Sequence, residues 1–111
     1  MKTKLSVLSI VGAVALMSTG AAQAVDGAAA TALAQKSACM ACHAVDRKMV
    51  GPSYKDIAAK YKGMDAAKLA SSIKAGGAGK WGPVPMPAQA NLKEADALTL
   101  ATWILAGAPA K

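Results

Sequence analysis

Two cysteines and a histidine stand in a C-x-x-C-H arrangement, formed by Cys39, Cys42 and His43. This spacing is the pattern of covalent haem attachment, in which two thiols reach the vinyl groups of one porphyrin and the adjacent imidazole lies over the iron. A thioredoxin-like redox pair requires a βαβ context, a zinc site requires about four ligands, and a disulfide across two residues closes a very short, strained loop. The motif therefore predicts one covalently bound haem c.

The second axial ligand must come from another residue type, because His43 is the only histidine. Methionine, lysine, solvent or an exogenous molecule could occupy that position. Met40 lies inside the attachment motif, Met49 follows too closely and is expected to fill a gap in the packing, and Met64 beside a turn is expected at the surface or edge. Met86 stands between two prolines, which restrict the chain around its thioether. Met86 is therefore the predicted ligand.

The first 24 residues have the pattern of a cleaved secretory signal. Lys2 and Lys4 precede an apolar run over 5–17, and a small-residue stretch ends in Ala-Gln-Ala at 22–24. The run of 13 residues is shorter than the roughly 20 that a membrane span needs, so no stable membrane anchor is expected. The sequence thus predicts a signal peptide over 1–24 and a single haem domain over 25–111, exported to a periplasm.

Length limits the number of domains, and composition limits the size of the core and the kind of partner. A chain of 111 residues allows one domain and excludes a multidomain enzyme. Residues 25–111 hold only 23 apolar side chains larger than alanine, so the domain is expected to need its haem as part of the core. The formal charge of +7 becomes +5 without Lys2 and Lys4. Export argues against nucleic acid, and the charge favours acidic protein patches or a membrane surface.

Capping signals predict four helices and no strand. Helices are expected from Asp26 to about Ala38, from Ser53 to about Lys60, from Asp65 to Gly76, and from an N-x-x-E start at Asn91 to Gly107. The last helix is expected to place one set of residues on a common face: Leu98, Ala101, Thr102 and Leu105. The segment 76–87 combines glycines with prolines, and a long ordered loop of this kind usually serves a ligand. The fold class is all-α.

These motifs together resemble the small bacterial class I cytochromes c, of the c-551/c-552 type. The resemblance rests on the attachment motif, on Met49-Val50-Gly51-Pro52, on Trp81-Gly82-Pro83-Val84-Pro85-Met86-Pro87 and on Trp103 in the last helix, and it covers nearly all of 25–111. It implies about four short helices around one haem held by Cys39 and Cys42, with His43 and Met86 as iron ligands. It also implies that the Pro52 carbonyl accepts the His43 ring N–H and that Trp81 donates to a haem propionate. Three more residues are expected to pack near the haem: Met49, Val50 and Gln89.

The function implied is that of a monomeric, non-enzymatic periplasmic carrier of single electrons. Its partners would be acidic docking faces of a reductase, a terminal oxidase or a quinol-oxidising complex. Two alternatives remain at this point: a haem subunit of a larger redox enzyme, and a haem-based sensor whose Met86 leaves the iron readily.

The sequence departs from the family pattern at three places. The position that is usually aromatic near the crossing of the first and last helices is Ala34, so Leu33 and Trp103 are expected to provide the packing there. Gln89, after Ala88, replaces an asparagine that often bonds to the ligand sulfur. The third helix offers hydroxyls, at 71–72, where a basic side chain commonly supports a propionate.

Overall fold

The computed structural model describes residues 25–111, together with Gly12. The chain there forms four α-helices: α1 (Gly27–Lys36), α2 (Tyr54–Lys60), α3 (Ala66–Ala75) and α4 (Glu94–Leu105). A short 3-10 helix, Cys39–Ala41, follows α1. Within 25–111 the β pairing consists of an isolated antiparallel bridge between Gly77 and Met86. The all-α prediction is confirmed, whereas the predicted signal peptide lies outside the described residues, Gly12 excepted.

The starts of α1, α2 and α3 follow the capping signals of the sequence. Side-chain oxygens of Asp26, Ser53 and Asp65 accept hydrogen bonds from first-turn backbone N–H groups at 3.0, 3.1 and 2.9 Å. Each such cap contributes about 1 kcal/mol. Helix α1 ends at Lys36, before the predicted Ala38, because Ala38 has a left-handed backbone with φ of 60°.

The predicted start of α4 at Asn91 is wrong. Asn91 lies in a turn in which the Leu92 N–H donates to the Gln89 carbonyl at 3.1 Å. The helix begins at Glu94, with Lys93 at the N-cap and no hydrogen bond from its side chain. Two acidic residues in the first turn, Glu94 and Asp96, complement the helix dipole. The acidic first turn therefore provides the stabilisation that a side-chain cap provides in the other helices.

The buried face of α4 also differs from the predicted one. Of the four residues expected to share a face, only Ala101 is buried, while Leu98 is 44% exposed and Thr102 is exposed. The buried set recurs at helical spacing and comprises Ala97, Leu100, Ala101 and Ile104, with Trp103 beside it. Helices α1, α2 and α3 all pack on α4, so the central helix buries a wide face.

Alanine occupies half of the core. The buried cluster has twelve residues, of which six are alanine. Trp103 is fully buried, and its indole N–H donates to the Pro109 carbonyl at 2.9 Å. Ala34 is fully buried where the family pattern has an aromatic residue, and Leu33 packs partly against the same cluster with Trp103, as expected. A core with so few large side chains leaves apolar surface facing the centre of the domain.

None of the helices in the described part of the chain combines the length and the hydropathy that crossing a membrane requires.

Candidate haem-binding site

The inner faces of α2, α3 and α4 enclose one side of a cavity of about 720 Å³. The attachment segment and the loop 76–87 line the rest of it, and most of the lining is apolar. Cys39, Cys42, His43 and Met86 all line this one space. Its volume falls within the range of about 300–1,000 Å³ that is typical of cofactor pockets. The cavity, its apolar lining and the donor set therefore fit a large apolar group with a metal at its centre.

A compact turn orders the attachment motif. Ala38 in the left-handed conformation reverses the chain after α1, and the backbone N–H groups of Cys42 and His43 both donate to the Cys39 carbonyl, at 3.2 and 3.0 Å. Cys39 is half-buried and Cys42 is exposed. The turn thus places the thiols and the imidazole on one short, hydrogen-bonded segment of the cavity wall.

Neighbouring groups fix the ring of His43. Its Nδ1 lies 2.8 Å from the Pro52 carbonyl oxygen. When the proton is on Nδ1, this nitrogen donates to the carbonyl and Nε2 remains available to a metal. Gly51 lies so close to the ring that a Cβ there would be 2.5 Å from the His43 Cε1 atom. The Gly51-Pro52 pair therefore sets both the position and the tautomer of the imidazole.

Tyr54 lies between His43 and the core. Its ring stacks on that of His43 with centroids 5.2 Å apart and an interplanar angle of 18°, and it meets Trp103 edge-on at 5.3 Å. Burial raises the pKa of the Tyr54 phenol. A phenol with the ordinary pKa of tyrosine is already neutral at physiological pH, and a raised pKa keeps it so, which means that no tyrosinate charge lies beside the imidazole.

Met86 is held at the base of a closed loop. The Met86 N–H donates to the Gly77 carbonyl at 2.8 Å, and the Gly77 N–H donates to the Met86 carbonyl at 3.0 Å. Within the loop, the Gly79 N–H donates to the Gly82 carbonyl at 3.0 Å. Met86 is half-buried although the residues 77–85 before it are exposed. The pairing thus fixes the backbone of Met86 at the base of the loop, where its side chain lines the cavity.

The outer part of the loop is attached to the end of α2. The Lys60 ammonium donates to the Lys80 carbonyl at 2.6 Å and lies 4.3 Å from the centroid of the Trp81 ring. Tyr61 meets Trp81 edge-on with centroids 6.1 Å apart. Hydrogen bonding, a cation–π contact and an aromatic contact therefore hold Trp81, which lines the cavity, at its rim.

The remaining predicted residues also line the cavity. Met49 and Val50 are 39% and 57% exposed, so Met49 lies at the rim of the cavity and does not fill a gap in the core. The Gln89 side-chain amide donates to the Pro87 carbonyl at 3.1 Å. Met64, expected at the surface or edge, lies at the edge of the core. Met64 is half-buried, packs against the core and lines the cavity.

Three functional residues were missed by the sequence reasoning: Tyr54, Gly51 as a contact of His43, and Lys60. Gly51 belongs to the motif Met49-Val50-Gly51-Pro52 and Tyr54 follows it closely, but their contacts with His43 depend on the path of the chain after the attachment motif. Lys60 is separated from Lys80 by 20 positions, and it carries no local signal that distinguishes it from other surface lysines.

Across residues 25–111, no three side chains of histidine, cysteine, aspartate or glutamate lie together as a metal-binding group. His43 and the two cysteines of the motif would leave a zinc ion short of its usual ligands.

Comparison with known proteins decides the family. The family model described as "Cytochrome c" matches residues 27–108, which is most of the chain. The chain belongs to the cytochrome c family. Cytochrome c-551 of Allochromatium vinosum is 55% identical over 75 residues, which cover 66% of this chain and 80% of that protein. Cytochrome c-551 of Stutzerimonas stutzeri is 43% identical over 106 residues, covering 94% and 95% of the two chains.

Solved structures agree with these relatives. The crystal structure of cytochrome c552 from Nitrosomonas europaea superposes with a TM-score of 0.66 at 52% identity, covering 68% of this chain and 96% of that one. This cytochrome is therefore of the class I c-551/c-552 type and has the cytochrome c fold. It carries one covalent haem c, attached through Cys39 and Cys42. It is an electron carrier and not an enzyme.

Proposed function

We propose that this cytochrome is a periplasmic single-electron carrier in which His43 and Met86 are the axial ligands of the haem iron. The observation that carries the proposal is the shared cavity, which brings the imidazole, the thioether and both attachment thiols to one apolar space. His43 is the only histidine, so no second imidazole competes with Met86.

Each residue of the site has a defined task in this proposal. Cys39 and Cys42 hold the cofactor, and His43 offers Nε2 because its Nδ1 faces the Pro52 carbonyl. Met86 offers a neutral, soft sulfur from the base of its loop. The haem, when bound, supplies one-electron exchange at its iron, and the thioether favours the ferrous state relative to a second imidazole. Two side chains on the iron leave no position for a substrate.

The surrounding residues orient and shield the site. Trp81 is proposed to donate its indole N–H to a propionate, and the Lys60 contacts hold its ring in place for that purpose. Met49 and Val50 at the rim, with Gln89, are proposed to exclude water from the cofactor. The proposed unit is the single domain 25–111, released from a signal peptide over 1–24 that directs export.

Acidic faces of other redox proteins are the proposed partners of a monomer. The lining of the cavity includes three lysines, Lys48, Lys68 and Lys80, and one carboxylate, that of Asp56. Without the leader the formal charge is +5, and two propionates would reduce it to +3 in the ferrous state. A positive surface around an apolar rim favours fast, weak, salt-sensitive association with an acidic face.

Electron exchange with charged probes tests the proposed function. We expect oxidation of the ferrous protein by anionic ferricyanide to slow as ionic strength rises, and reduction of the ferric protein by cationic hexaammineruthenium(II) to accelerate. Lys48→Glu should slow the ferricyanide reaction several-fold at low salt, whereas the matched change Lys111→Glu at the terminus should have a smaller effect. Rates that do not change with salt for either probe would contradict the proposed docking surface.

A further inference from the structure

Gly76, the first residue after α3, lies against the backbone of the segment that carries Met86. Its φ of 65° and ψ of −164° fall in a region that is essentially restricted to glycine. A Cβ at this position would be 2.5 Å from the Met86 carbonyl oxygen and 2.8 Å from both Pro87 C and Ala88 N. The opposing atoms belong to the backbone, so no side-chain rotation can relieve the overlap.

Hydrogen bonds on either side hold the backbone contact between Gly76 and the Met86 segment in place. The Gly76 N–H donates to the Ser72 carbonyl at 3.0 Å, which attaches this residue to the last turn of α3. Beyond Met86, the Gln89 N–H donates to the Lys74 carbonyl at 2.9 Å. Together with the bridge between Gly77 and Met86, these bonds hold the end of α3 and the Met86 segment in direct backbone contact.

We propose that Gly76 is a positioning residue for Met86: the lack of a side chain at Gly76 sets how closely the Met86 backbone approaches α3, and thereby where the thioether lies in the cavity. Helix α3 is anchored in the core by Leu69 and Ala70, so it provides a fixed reference for the loop. The inference deepens the proposed function and rests on it, since the thioether matters as an iron ligand.

The test compares Gly76→Ala with two matched glycine changes in the haem-loaded protein. Gly79 in the same loop and Gly63 outside it have φ of 89° and 83°, and a Cβ at either would meet no atom within 4 Å. All three alanine variants place a side chain at positive φ, but only Gly76→Ala also adds the overlap with the Met86 segment.

Two measurements report whether the Met86 thioether is bound to the iron. We expect Gly76→Ala to lose most of the sulfur-to-ferric-iron charge-transfer absorption, and its ferrous form to bind carbon monoxide roughly tenfold faster, in proportion to the population without bound sulfur. Gly79→Ala and Gly63→Ala should keep the absorption and the slow binding. A Gly76→Ala variant with the wild-type absorption and rate would overturn the inference, as would equal losses in all three variants.

A double-mutant cycle shows whether Gly76 acts through Met86. In a Met86→Ala background no sulfur remains to be displaced, so adding Gly76→Ala should leave the carbon monoxide rate unchanged. If the two changes instead multiply their effects on the rate, Gly76 acts by a route other than Met86, and the inference fails.

Amide hydrogen exchange in the wild-type ferrous protein covers the case in which Gly76→Ala does not fold. The proposal requires the Gly77 and Met86 amides to exchange only through global unfolding. The proposal would be contradicted if both amides exchanged through a local opening whose free energy is far below that of global unfolding. A wild-type ferric spectrum without the sulfur absorption overturns the proposed ligation and this inference with it, whereas retention of that absorption in Gly76→Ala overturns this inference alone.

Discussion

At the scale of single residues, the imidazole of His43 is held by three neighbours. The Pro52 carbonyl lies opposite Nδ1, Gly51 lies against the ring edge, and Tyr54 stacks on its face. A ring that is constrained in its plane, its tautomer and its distance needs little rearrangement to act as a ligand in either redox state. The Pro52 carbonyl also sets the basicity of His43 as a ligand, because a carbonyl that accepts a hydrogen bond from Nδ1–H strengthens donation from Nε2.

Local pattern predicted the residues that bind the haem, and the family resemblance implied the contact of Pro52 with His43, but the other residues that hold these side chains in position were not predicted. The motif Cys39–His43 and the Pro-Met-Pro setting of Met86 can be read from adjacent positions. The contacts of Tyr54 and Gly51 with His43 depend on how the chain folds back after the motif. That Met64 lines the cavity was not predicted for the same reason, since α2, α3 and the loop form that cavity together.

Replacing Met86 with histidine tests the ligand at this scale. Met86→His should keep the iron six-coordinate and low-spin, and should lower the reduction potential by on the order of tenths of a volt, because imidazole donates more strongly than thioether. Potentiometric titration followed by visible absorption measures both properties. Met49→Leu, a change of similar volume at another methionine that lines the cavity, should leave the potential nearly unchanged; an equal fall in both variants would contradict the assignment.

At the scale of secondary-structure elements, three helices start where the sequence predicts and the fourth does not. Asp26, Ser53 and Asp65 are caps because their short side chains carry an oxygen that can accept a hydrogen bond from a first-turn backbone N–H group that has no partner within the helix. In α4 almost every position is small or apolar, so the sequence alone did not define its start or its buried face. Packing of three helices on α4 decides the buried face, whereas the turn at Asn91 precedes a helix that starts at Glu94.

The loop before Met86 is an element in its own right, attached at two points. Its base is the backbone bridge between Gly77 and Met86, and its outer part is held by Lys60. The sequence predicts an ordered loop from its glycines and prolines. It does not predict the Lys60 contact, because a lysine on a helix surface is usually solvated.

Removal of the Lys60 ammonium should loosen the outer part of the loop. Lys60→Met retains most of the stem but loses the hydrogen bond to the Lys80 carbonyl and the cation–π contact with Trp81, at a cost of about 1 kcal/mol of unfolding free energy at this exposed position. Amide exchange over 79–82 should accelerate accordingly. Lys62→Met, an equal loss of charge at an exposed neighbouring position, is the control, and equal acceleration in both variants would show that the Lys60 contacts do not hold the loop.

At the scale of the whole molecule, the protein part of the core is small. Six of its twelve buried residues are alanine, and the only fully buried large side chains are those of Trp103 and Leu100 within the described part of the chain. The cavity lies beside this cluster, lined by Ile57, Leu69, Leu100 and Ile104 among others. The composition predicted this shortage, and the structure shows that the apolar surface left uncovered faces the cavity.

Loss of covalent attachment should therefore unfold most of the domain. Cys39→Ala combined with Cys42→Ala removes the cofactor that completes the core, and a domain of this size has little stability to spare. We expect far-UV circular dichroism to show that most of the helical signal is lost, and limited proteolysis to cleave the chain rapidly. The single change Met86→Ala, which leaves the attachment intact, should keep the helicity, and full native helicity in the double cysteine variant would refute the argument.

Carbon monoxide binding to the ferrous protein tests the central claim, the ligation of iron by Met86, most directly. Wild type should bind carbon monoxide slowly, because the gas must first displace a sulfur that the loop holds in place. Met86→Ala should bind it quickly and show a raised high-spin fraction, whereas Met64→Ala, which removes the other half-buried thioether of the cavity, should behave as wild type. Slow binding in Met86→Ala together with fast binding in Met64→Ala would contradict the account, and so would a wild type that binds as fast as Met86→Ala.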